Sequence, residues 1–220
     1  MNNCIITISR EYGSGGRDVG RLLAEELGLP IFDKEIIHMA TEKSGLPADF
    51  IEKRGESVPN RFWSNLKRLS VNVPNVRMPS GYNSHFVASN RNEYDEDKLF
   101  IAQTNIIREI ASGGGAVIVG RCAGYILREH PHLLSVFIRG DFNDRVRRAI
   151  ETYSTSEKDA AAVVKKIDKH RAHHYSLYTD RKWGAANNYD LVINTSYTGI
   201  PGAVSVIKAA LEANQATKKE

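Results

Sequence analysis

An α/β fold around a parallel sheet is what this sequence predicts, on two patterns. Short runs of β-branched and apolar residues recur near residues 5, 30, 116, 134 and 191, separated mainly by stretches of helical periodicity. The first run passes through a glycine-rich turn straight into a helix, the order expected of right-handed strand–helix–strand crossovers.

Ile5, Ile6, Thr7 and Ile8 form the first strand, a buried one by its composition. Gly13, Ser14, Gly15 and Gly16 are too flexible for the interior of a strand or a helix. Val19, Leu22, Leu23 and Leu27 then recur at helical spacing, and Gly28 is placed to end the helix in a left-handed conformation. A glycine loop between a strand and a helix lets backbone N–H groups approach a phosphate, and the helix N-terminus adds a favourable dipole. Three glycines within four residues, flanked by Arg10 and Arg17, point to phosphate binding rather than a plain turn.

The loop departs from the pattern G-x-x-x-x-G-K-[ST]. With the strand end in register, Arg10 stands at the first glycine and Gly15 at the second. Gly16 then occupies the lysine position, and Arg17 and Asp18 stand where the hydroxyl residue belongs. The pattern G-x-G-x-x-G fails as well, because Gly13 and Gly15 lead to Asp18.

Leu29 to Asp33 reads as a short strand or edge, and Lys34 to Lys43 as a helix that Asp33 can cap; Asp33 can equally face a substrate. Residues 45 to 98 are the least regular part. Ile51, Phe62, Trp63, Leu66 and Leu69 suggest one or two short helices, and 71 to 92 reads as a mobile insertion. Glu96 to Ala111 is a helix, stopped by Gly113, Gly114 and Gly115. Ala116 to Val119 is a buried strand, and Arg121 follows at its C-terminal end, where open α/β sheets bind ligands. Arg121 is a candidate phosphate ligand; a surface ion pair is the alternative. Leu133 to Arg139 is the next strand, followed by a helix that Asp141 or Asn143 can cap and that carries Arg145, Arg147 and Arg148. Thr155 to Tyr178 is a long polar helix on which His170, His173 and His174 read as solvent-facing. Tyr189 to Thr195 is the last strand, and Gly199-Ile200-Pro201 opens a final helix.

Composition narrows the function classes. Hydrophobic residues make up 41% of the 220 and charged residues 25%, ordinary for a globular chain. A net charge of +4 suits an anionic small molecule, and basic stripes interleaved with aromatics, the mark of a nucleic-acid surface, are missing. No apolar run approaches the ~18 residues of a membrane span. The start MNNCIITIS has no basic leader, and Cys4 and Cys122 have no metal spacing. They read as reduced thiols of a cytoplasmic protein.

Four stretches, ITISREYGSGGRDVGRLLAEELG, IFDKEII, VIVGRCAGYIL and HRAHHYSLYTDRKWG with YDLVINTS, stand in an order that resembles the P-loop nucleoside monophosphate kinases, most closely the cytidylate-kinase-like family. The resemblance implies a three-layer P-loop kinase fold, with 45–98 an inserted substrate-binding segment and 155–188 a lid. It implies transfer of the ATP γ-phosphate to CMP or dCMP with Mg2+. Gly13, Ser14, Gly15, Gly16 and Arg17 would hold ATP, Asp18 the metal, Arg121 the acceptor phosphate and Asp33 the acceptor. Lys166, Arg171 and Arg181 would close over the transferred group. This sequence departs from the family at Gly16, at Arg17 and Asp18, and at Cys122, which replaces the aspartate of a Gly-Arg-Asp segment.

Overall fold

The computed structural model describes residues 3–44 and 91–217. The one or two short helices expected between 51 and 69 lie outside the described residues, as does the expected mobile stretch 71–92 up to residue 90. Contacts divide the chain into two compact units, residues 1–33 with 107–220, and residues 34–106.

The larger unit holds a five-stranded sheet in the order β2-β3-β1-β4-β5, with every pairing parallel. The strands are β1 (Ile5–Arg10), β2 (Ile31–Phe32), β3 (Ala116–Val119), β4 (Leu133–Arg139) and β5 (Leu191–Asn194). All five stand where the hydrophobic runs predict them. Its helices are α1 (Gly16–Leu27), α4 (Ala123–Ile126), α5 (Phe142–Tyr153), α6 (Glu157–Thr179) and α7 (Thr195–Thr217). The smaller unit contains α2 (Glu35–Ser44) and the greater part of α3 (Arg91–Ser112), with Ile36, Ile37, Met39, Leu99 and Ile106 buried.

Two helices cover one face of the sheet. Val19, Leu23 and Ala24 of α1, with Ala203, Val204, Ile207 and Leu211 of α7, close over Ile6, Ile8, Val117, Leu134, Val136, Ile138 and Ile193. Each buried aliphatic side chain contributes about 1.5–3 kcal/mol. A Cβ on Gly20 would lie 3.1 Å from Val119 and 3.3 Å from Ile8, so this glycine lets α1 approach the sheet closely. On the other face α4 packs tightly: a Cβ on Gly124 would lie 2.7 Å from Ser135 Oγ. Phe137 stacks edge-on against Trp183 at 5.2 Å and tilts against Tyr189 at 5.0 Å.

One boundary differs from expectation. α7 begins directly after β5, at Thr195, and is interrupted at Gly199 (φ 67°), so the residues that were to open the helix mark a break inside it. α1 ends as expected, with Gly28 (φ 64°) donating its N–H to Ala24 and Glu25 carbonyl oxygens. Because the sheet is parallel, the ends of all five strands gather on one edge, and residues 10–18, 33, 120–122 and 140 lie there.

Two glycines of the first thirty residues separate geometry from space. Gly13 and Gly28 both have positive φ, but a Cβ on Gly13 would overlap the carbonyl oxygen of Arg145, whereas one on Gly28 meets nothing within 4 Å. Gly28→Ala should cost about 1–2 kcal/mol, the left-handed penalty alone. Gly13→Ala should cost clearly more, ~3 kcal/mol or above, because the loop must also shift. Urea unfolding of the two variants tests the ordering, and equal losses would show that the loop yields freely.

Candidate functional site

Between β1 and α1 the chain runs through Glu11, Tyr12, Gly13, Ser14 and Gly15. Gly13 and Gly15 both sit at φ 76°. The first intrahelical bond of α1 runs from Val19 N to Gly15 O, and no side chain caps the helix. The N–H groups of the first turn therefore point along the axis toward the loop, the arrangement that receives anions.

Three helices fix this loop. From α6, Asp168 accepts the Tyr12 N–H at 2.7 Å, and Arg171 donates to the Arg10 carbonyl at 3.0 Å. From α5, Arg145 donates to the Tyr12 carbonyl at 3.2 Å and pairs with Asp168, and Arg148 donates to the Gly13 carbonyl at 3.0 Å. From α7, Thr195 donates to the Ser14 carbonyl at 2.7 Å. Glu11 accepts the Gly140 N–H at 3.0 Å and lies 3.4 Å from Arg145 Nε. Of the three arginines on α5, Arg145 is buried and Arg148 reaches the loop, while Arg147 turns outward to Asp144.

Beside the loop, Asp33 at the end of β2 joins two arginines. One oxygen lies 3.3 Å from Arg10 Nη2, the other 2.6 Å from Arg17 Nε. Arg10 is 14% exposed and Arg17 44%. Arg121 and Arg171 complete the group. Burial pushes the Arg10 guanidinium down to about 9; its neighbours Arg171, Arg121 and Arg17 push the same way, and Asp33 opposes them. Arg171 is lowered too, by burial first, with Asp168 and Asp33 opposing and Arg121 and Arg17 adding to the shift. Arginines at such density favour a multiply charged anion.

Arg121 reaches this edge through a strained turn. Arg121 and Cys122 have successive positive φ values of 56° and 54°, a conformation that costs non-glycine residues about 1 kcal/mol or more each. The Cys122 thiol is buried and pushed up to about 12, so it is no nucleophile. His174 turns inward, its Nδ1 3.6 Å from Cys122 Sγ, which corrects the solvent-facing expectation for that residue; His170 and His173 are exposed.

The structure thus brings together Gly13, Ser14, Gly15, Gly16, Arg17, Asp33, Arg121 and Arg171. Asp18 is half-buried on the first turn of α1, and its charge adds to the rise that burial imposes on the Tyr153 phenol. Two expected members stand apart. On α6 the inward stripe is Ala160, Val164, Asp168, Arg171, Tyr175 and Thr179, and exposed Lys166 lies about 200° around the helix from Asp168. Exposed Arg181 follows the α6 cap and stacks 5.3 Å over Tyr125. Sequence reasoning gave no part to Glu11, Tyr12 or Asp168, and it left the helix of Arg145, Arg147 and Arg148 open between a solvated face and a source of charge for phosphates. The signal for two of them was present: Arg145 and Arg148 are three apart on a helix whose Ala149 is buried.

Residues 5–197 match the model of the cytidylate kinase-like family. An uncharacterized protein from Eubacterium ventriosum is similar at 28% identity and TM-score 0.68, covering 96% of this chain and 99% of that one. A gluconokinase from Sinorhizobium meliloti shares the fold at 14% identity and TM-score 0.52, covering 99% of this chain and 98% of its own. A shikimate kinase from Acinetobacter baumannii does so at 15% identity and TM-score 0.51, covering 96% and 94%. Among curated proteins no sequence matches the chain.

Asp33 provides the test of the arginine group. Asp33→Asn removes the carboxylate faced by both Arg10 and Arg17 and should lower stability by ~3 kcal/mol, the usual loss when one partner of a buried pair is removed. Millimolar pyrophosphate should recover part of the loss, because an anion takes the place of the missing charge. Thermal melts with and without pyrophosphate measure both effects; equal losses in the two conditions would show that the group does not attract anions.

Proposed function

The chain belongs to the cytidylate kinase-like family, and from that premise we propose that it transfers the γ-phosphate of ATP to a nucleoside monophosphate in the cytoplasm, with CMP and dCMP as acceptors. One observation carries the reading: Arg10, Arg17, Arg121 and Arg171 converge beside Asp33 and a glycine loop at the carboxyl edge of a parallel sheet.

Phosphoryl transfer of this kind demands positioning and charge neutralisation more than covalent chemistry. In this reading the backbone N–H groups of Gly13, Ser14, Gly15 and Gly16 cradle the ATP phosphates. Arg17 adds charge at the helix start, and Arg121 grips the acceptor phosphate. Asp33 holds Arg10 and Arg17 in place and borders the acceptor. An acceptor phosphate oxygen attacks the γ-phosphorus, the bond to the β-phosphate oxygen breaks, and the electron pair leaves with ADP. Arg171, already on the loop through the Arg10 carbonyl, is the lid residue best placed to meet the transferring group. Lys166 and Arg181 join it only if α6 and the segment after it turn.

The donor set fits Mg2+, a hard cation that takes oxygen ligands. Glu11, Asp33 and Asp168 are each engaged by arginine, whereas Asp18 makes no ion pair among the described residues. Asp18 would hold the metal directly or through water, and the ion would neutralise charge on the β- and γ-phosphates.

Gly16 at the lysine position favours a second reading, a nucleotide-binding regulator that has lost catalysis. A kinase for another small phosphate acceptor is the third. Coupled-assay turnover of ATP against CMP, dCMP, UMP, AMP and GMP separates them. Transfer to CMP or dCMP is expected; transfer to UMP, AMP or GMP instead would favour the third reading, and transfer to none, with ATP still bound, would overturn nucleoside monophosphate transfer and favour the regulator. Arg17→Ala should weaken ATP binding or turnover ~10-fold or more, the loss of one charge-assisted contact of about 1.5–3 kcal/mol. Arg21→Ala should stay near the parent, since Arg21 is exposed and pairs with Glu25 at 3.9 Å. Parental behaviour of Arg17→Ala would make Arg17 a surface residue.

A further inference from the structure

The lysine position of the loop is empty for a steric reason. A Cβ on Gly16 would lie 2.5 Å from Arg10 Cβ, 3.0 Å from its Cγ and 3.3 Å from Ile138 Cβ. Gly16 is the first helical residue of α1 and has no positive φ, so it is glycine for want of space and not for its backbone. The occupant of that space is the stem of Arg10, and Arg10 stands where the loop pattern has its first glycine. Side chains at 10 and 16 exclude one another. The usual loop has glycine then lysine at these two places; this one has arginine then glycine.

The head of Arg10 is accommodated just as specifically. A Cβ on Gly120, at the end of β3, would overlap its guanidinium. The group then lies among Arg17, Arg121 and Arg171 with Asp33 at 3.3 Å. Burying a cation among cations is costly, and a single carboxylate shared with Arg17 offsets that cost only in part. A charge kept under those conditions has a use other than folding. We propose that Arg10 is the substitute for the loop lysine: it binds the terminal phosphates of a nucleoside triphosphate from the strand side of the loop, where lysine would bind them from the helix side. Its planar fork can engage two phosphate oxygens, which a lysine cannot do in one plane. This rests on the phosphate-binding reading of the loop.

The test is equilibrium binding of inorganic tripolyphosphate and of ATP, by titration calorimetry, with a thermal melt of each variant. Arg10→Met keeps most of the stem and removes the charge. It should still fold, because Asp33 keeps its bond to Arg17, and should bind tripolyphosphate at least ~10-fold more weakly. Gly16→Lys alone should lose stability and binding, because its Cβ overlaps the Arg10 stem. Arg10→Gly combined with Gly16→Lys should recover binding, since the vacated space admits the lysine. Three results would overturn the proposal: a parent that binds no tripolyphosphate, an Arg10→Met variant that binds it as the parent does, or a paired exchange that binds no better than Gly16→Lys. Arg10-dependent tripolyphosphate binding without transfer to any monophosphate would count against the kinase reading alone. Transfer with Arg10-independent binding would count against this proposal alone.

Discussion

Asp33 is the interaction on which the candidate site depends. Its oxygens hold Arg10 from the end of β1 and Arg17 from the start of α1, so one carboxylate ties a strand and a helix that are separated only by the glycine loop. Without it, arginines at this edge would repel one another in a setting where burial already disfavours their charge. Asp33 occupies the position following β2, and β2 is only two residues long. Its pairing with Val117 and Ile118 of β3 is what brings Asp33 to the carboxyl edge of the sheet. A minimal strand therefore has a purpose beyond the core it borders.

The loop itself is rigid by construction. Backbone groups of Tyr12, Gly13 and Ser14 are engaged by side chains from α5, α6 and α7, so the left-handed turns at Gly13 and Gly15 are held from several sides. Preorganisation of this kind lowers the conformational cost of receiving a ligand. It also explains the composition of the inner stripe of α6. Apolar Val164 and Tyr175 anchor the helix, and Asp168 and Arg171 between them face the loop. The same helix thus serves as core and as site, with the two roles separated by single turns.

Much of this fold is legible in the sequence because it is local. Ile5 to Ile8, Ala116 to Val119 and Leu133 to Arg139 announce strands by composition, and Gly28 announces a helix end by its chemistry. The glycine loop, Arg121, Arg171 and Asp33 are legible as candidates because each follows from position at a strand end or from the family resemblance. Residues that act over long range are not legible in this way. Asp168 meets Tyr12 across 156 residues, and nothing local in α6 marks that aspartate among its charged neighbours. Lys166 and Asp168 stand in the same charged run, and helical phase decides which of them faces the loop. Gly16 reads from sequence as a missing lysine; the space taken by Arg10 becomes visible only once β1 and α1 are packed together.

The bond from Thr195 to Ser14 spans 181 residues. On a ribosome adding about 5–20 residues per second, roughly 10–40 seconds separate synthesis of the loop from synthesis of the threonine that completes it. Arg145, Arg148, Asp168 and Arg171 emerge in that interval, each bringing one more partner to a segment already outside the tunnel. The nascent chain thus carries its glycine loop in an unfinished state until Thr195 has been made, and a helix synthesised long after the loop is what completes it.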